Sequence, residues 1–63
     1  MNENDRDTVE EAYAVALRNL FNVLLDTFVE APQDQKAQNL AAQRFSAGLA
    51  IARKARDAAL ALL

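Results

Sequence analysis

The sequence predicts an all-α fold: one antiparallel helical hairpin that assembles with a second copy into a four-helix bundle. Three observations predict it. Apolar residues recur every three or four positions along two long stretches, the period of a helix face. The second stretch is rich in alanine, the best helix former. Between them stands the single proline, Pro32.

Helix 1 is expected over about residues 8–30. Thr8 with Glu11 three positions later forms a capping box, and Asp7 with Glu10 offers the same arrangement one residue earlier. The polar residues 1–7 are expected to fray. Tyr13, Leu17, Leu20, Leu24 and Phe28 fall on one line, widened by Phe21 and Leu25. Arg18, Asn19, Asn22, Asp26 and Glu30 occupy the opposite side. With Val9, Ala12 and Val23 at its margin, the apolar arc covers more than half the helix. A helix with a single neighbour needs less.

The turn is expected at about 31–34. Proline disfavours helical geometry in Ala31 and itself suits the start of a new helix, and Asp34 is a further cap. So short a connection forces the helices to be antiparallel neighbours. Helix 2 then runs over about 35–62. Its most distinctive feature is a narrow row of mostly small residues: Ala41, Phe45, Gly48, Ala52, Ala55, Ala59 and Leu62. Glycine inside a helix costs about 1 kcal/mol relative to alanine, so Gly48 marks a close approach. With facing positions numbered to total about 65, Gly48 is expected near Leu17, and Phe45 near Leu20 or Phe21.

A chain of 63 residues is one domain (1–63) with little room for a core. Below roughly 70–80 residues such folds need a disulfide, a metal or a partner. Cysteine and histidine are absent, so disulfides and the common transition-metal ligands are excluded, and a protein partner is the support that remains. A homodimer is the expected form, with a complex with a different protein chain next and a larger oligomer or a monomer as the remaining alternatives. The absence of cysteine, of a signal-peptide pattern and of an uninterrupted 18-residue apolar run leads to the expectation of a cytoplasmic protein.

Charge is divided by helix. Residues 1–31 carry −5 and residues 32–63 carry +3. Arg44, Arg53, Lys54 and Arg56 would be the contacts of a dimeric nucleic-acid-associated regulator, the alternative reading. A net charge of −2 disfavours it, and an antiparallel hairpin sets the basic end of helix 2 beside Glu10 and Glu11. Residues 49–63 mix bases with apolar residues as interfacial helices do, but alanine inserts weakly, so no membrane role is expected.

Catalytic inventory is sparse. Glu10, Glu11, Asp26 and Glu30 read as solvated, and Ser46 and Thr27 have no base nearby. Asp26 and Glu30, one turn apart, make at best a weak divalent pair. No enzyme activity, cofactor or metal site is expected. The layout resembles that of Rop-type plasmid regulators, a likeness of architecture that carries over no functional residue. Ala41-x-x-x-Phe45 is also similar to the second helix of tetratricopeptide repeats, though both helices here are longer than that repeat's. The expected function is a small non-enzymatic protein–protein interaction module: an adaptor, chaperone-like or regulatory subunit. Its expected interface is Leu17, Leu20, Phe21, Leu24 and Phe28 on helix 1 with Phe45, Gly48, Ala52, Ala55 and Ala59 on helix 2.

Overall fold

The computed structural model describes residues 3–63, Glu3 by its backbone alone, and shows two helices packed as a hairpin with no strand among these residues. Helix α1 spans Glu3–Glu30 and α2 spans Gln35–Ala61.

The start of α1 departs from expectation. Thr8 lies inside the helix, its Oγ1 donating to the Asn4 carbonyl at 2.8 Å, so it bonds back along the helix instead of capping it. No glycine or proline stands between Glu3 and Thr8 to stop the helix, and the acidic groups there complement its dipole. Residues 3–7, expected to fray, are helical in this structure; for Met1 and Asn2 the expectation lies outside the described residues.

The turn is built from local hydrogen bonds. The Asp34 N–H donates to the Ala31 carbonyl at 3.2 Å, closing a four-residue turn with Pro32 and Gln33 at its corners. No described residue has positive φ, which excludes a type II turn and fits the common type I with proline at its second position. Gln38 Nε2 donates to the Ala31 and Pro32 carbonyls, each at 3.0 Å, tying the first turn of α2 to the end of α1. Asp34 is the N-cap: its Oδ1 accepts from the Ala37 N–H at 2.9 Å. Replacing it in Asp34→Ala is expected to cost about 1 kcal/mol, lowering the melting temperature by roughly 4–8 °C. An unchanged melt would mean that Gln38 alone secures the turn.

Packing between the helices forms a seam and not a core. Val9, Tyr13, Leu17, Leu20, Leu24 and Thr27 of α1 are half-buried, as are Ala41, Phe45, Gly48, Ala52 and Ala59 of α2. Among the described residues none is fully buried. The hairpin is a rod, with principal extents of 49 × 16 × 7 Å. Its radius of gyration is 14.7 Å, against about 11 Å for a compact chain of this length.

Accessible surface carries the same message. The chain exposes 4906 Å², whereas a folded monomer of 6.9 kDa exposes about 4,000 Å². The surplus of about 900 Å² matches the roughly 800 Å² that each partner loses in a standard protein–protein interface.

Helix α1 is also long and apolar enough to cross a membrane by length and composition, with a mean hydropathy of 1.2 in its most apolar window. Arg18 and Asp26 interrupt it, which is why no uninterrupted run is visible in the sequence. Each such charge costs about 2.5–3.5 kcal/mol at the centre of a spanning helix.

Candidate interaction surface

The register of the seam is set by how side chains leave a helix. An ideal Cβ added to Gly48 would lie 2.6 Å from Leu20 Cδ2, so Gly48 faces Leu20 and not Leu17. Arg56 lies over the Tyr13 ring, 4.4 Å from its centroid, which shifts the open end in the same sense. Helical side chains cover the surface about one position N-terminal to their own Cα. In an antiparallel pair the two displacements add, raising the total of facing positions from about 65 to about 67. Phe45, Leu20, Leu24 and Thr27 line one groove.

Each helix flanks the seam with two further strips, and the grooves show which strips share a side. One groove brings Val23 together with Arg44, and another brings Ala12 together with Ala55. These define a small-residue face whose groove, about 320 Å³, is lined mainly by alanine. At 100° per residue the opposite strips hold Leu17, Phe21, Leu25 and Phe28 of α1 and Leu49 and Leu60 of α2. That is the large-residue face.

The expected interface residues therefore divide into two sets. Leu17, Leu20, Leu24, Phe45, Gly48, Ala52 and Ala59 are half-buried, most of them spent on the seam within one chain. Phe21, Phe28 and Ala55 remain exposed, Phe21 by 49% and Phe28 by 43%. Leu25, Leu49 and Leu60 complete the large face and were missing from that set. Their signal was their spacing from Phe21, Phe28 and Phe45, hidden because they stood at the margins of the apolar lines. Val23, Leu40, Ile51 and Leu62 extend the exposed apolar surface on the other side.

Arg44 stands apart from the other basic residues, whereas Arg53 and Arg56, three positions apart, share one side of α2. Arg44 sits in the groove beside Val23 near the turn, some 9–12 positions from the others. Arg56 is occupied: its Nε donates to Asp57 Oδ1 at 3.0 Å while the guanidinium covers Tyr13. The Asp57 hydrogen bond raises the Arg56 pKa above the ordinary arginine value; desolvation opposes it, and the Asp57, Tyr13 and Glu10 fields add to it. Glu10 thus acts on Arg56, slightly farther along α2 than the expected level of residues 54 and 55. Arg53 and Lys54 are exposed and lie about 100° apart around α2. A backbone phosphate path would need these charges on one stripe.

Among the described residues no three His, Cys, Asp or Glu side chains converge on a point that could hold a metal ion. Comparison with family models, curated proteins and solved structures finds no match to this chain.

Proposed function

We infer that this chain is a small non-enzymatic interaction module that binds protein through its apolar helix faces, with self-association into a homodimeric four-helix bundle as its basic form. One observation carries this reading: a hairpin with no fully buried described residue leaves nine large apolar side chains 43–81% exposed. Burial of apolar surface is the dominant favourable term in association, at about 25 cal/mol per Å². A surface of this composition on both sides of a seam is expected to be covered in the working state.

Salt separates this reading from a nucleic-acid role. Apolar association is expected to change little between about 50 and 200 mM salt, whereas binding through several phosphate contacts falls by orders of magnitude over that range. The measurement is the concentration at which the purified chain associates, taken at both salts and repeated with RNA and duplex DNA. Salt-sensitive binding to either polyanion, without self-association, would overturn the proposal. The hydropathy of α1 calls for a third arm with phosphatidylcholine vesicles: flotation of the chain with them would place the apolar faces in lipid instead.

A further inference from the structure

The geometry points to a particular arrangement of the second copy: the two hairpins pack by their large-residue faces with both turns at the same end. This rests on the self-association proposed above and adds which face is used and in which orientation.

The occupant follows from area and shape, and the face from its two exposed phenylalanines, which carry the largest apolar area, whereas Val23 on the other side shares its groove with Arg44. The surface surplus of about 900 Å² over a compact monomer is enough for one standard interface per chain. It lies on a rod, which a second rod of equal length covers over its whole extent. A twofold pairing also lets one face serve as both halves of the contact.

The orientation follows from how size and charge are distributed along that face. Near the turn, α1 presents Phe21, Leu25 and Phe28, all exposed. At the same level the outer edge of α2 presents Ala42 and Ser46, both exposed, while Gln38, Phe45 and Leu49 stand half-buried nearer the seam. Toward the open end α1 presents Glu10, and within about one helical turn of that level α2 presents Arg53. With the turns together, α1 of each copy lies on α2 of the other. Phe21 then meets the second copy at the level of Ser46, Leu25 at the level of Ala42 and Phe28 at the level of Asn39, and Glu10 comes within about one turn of Arg53 of the second copy. Both matches occur twice. With the turns at opposite ends, α1 lies on α1, and Glu10 is brought against the Leu24 level of the other copy. Glu10, which already shares the field of Arg56 in its own chain, would then be desolvated against an apolar row without the second cation that Arg53 of the other copy supplies in the same-end arrangement.

Because the chain has no cysteine, the arrangement can be read with one spin label. Gln33→Cys places it at the exposed turn, and dipolar electron resonance reports the distance between the two labels. Same-end packing predicts about 10–20 Å, following from interaxial distances of about 8–10 Å. A distance approaching the 49 Å length of the hairpin would overturn this orientation while leaving self-association in place. No dipolar coupling at concentrations where the chain is helical would overturn both.

A charge-reversal pair gives a second readout that leaves the apolar contacts alone. Glu10→Arg and Arg53→Glu chains, each alone, are expected to associate about three- to tenfold more weakly than the parent. An equimolar mixture should associate more tightly than either chain alone, since each hybrid pair restores opposite charges across the interface, and only the loss of the Glu10 field on Arg56 within one chain remains. A mixture no tighter than its components would contradict the proposed contact.

Discussion

Gly48→Leu is expected to lower the melting temperature of the hairpin by well over 5 °C. A Cβ at this position already lies 2.6 Å from Leu20 Cδ2, and leucine adds three further carbons in the same direction. Overpacking of this kind costs about 1–3 kcal/mol, a large share of the roughly 3–5 kcal/mol available to so small a fold. Gly48→Ala should behave differently. The atom it meets is the free end of a half-buried leucine that can rotate away, and alanine gains about 1 kcal/mol in helix propensity. Near-parental stability for alanine with clear loss for leucine is the expected pair of melting curves. Equal stability of the two variants would mean that the helices are not held close at Gly48.

Phe21→Ser is expected to weaken self-association by at least about 100-fold while leaving most of the helical signal intact. Phe21 is 49% exposed in the single hairpin, so only part of its area serves the fold. A phenylalanine carries roughly 150–250 Å², and its exposed half is worth about 2 kcal/mol at 25 cal/mol per Å². A twofold interface loses that contribution twice, and each 1.4 kcal/mol is about tenfold in affinity. Val15→Ser is the control. Val15 is apolar and 45% exposed, but its neighbours along the helix are Glu11, Arg18 and Asn19, on the side turned away from Phe21 and Phe28. Its removal should leave the association constant unchanged. Equal losses for the two variants would mean that apolar area at large, and not this face, drives assembly.

The helices and the turn are legible in the sequence because each rests on local chemistry. Pro32 excludes a continuous helix, and Asp34 is placed to accept from Ala37. The beginning of α1 is less legible. Thr8 offers both a cap and a back-bond to Asn4, and the sequence contains no helix breaker to decide against the longer helix. Facing pairs were displaced for a geometric reason: counting residues from the turn follows Cα atoms, whereas contact is made by side chains inclined toward each helix's N-terminus. Gly48 was recognisable as a close-approach position, but its partner Leu20 was not.

Division of the surface into large and small faces required the two helices to be placed together. Phe21, Leu25 and Phe28 stand on one margin of the α1 arc, and Leu49 and Leu60 on one margin of α2. Nothing in either helix alone says that these margins share a side. Arg56 illustrates the same point for charge. Its cluster reads as a basic patch in sequence, yet the folded hairpin directs it onto Tyr13 and Asp57.

Sedimentation equilibrium on the purified chain, with circular dichroism at the same concentrations, tests self-association most directly. A hairpin that lacks a core and carries a surplus face should sediment as a dimer of 6.9 kDa chains, with helicity that falls as the dimer is diluted. A fully helical monomer, stable at every concentration, would contradict it, because the two-helix seam would then suffice without a second copy.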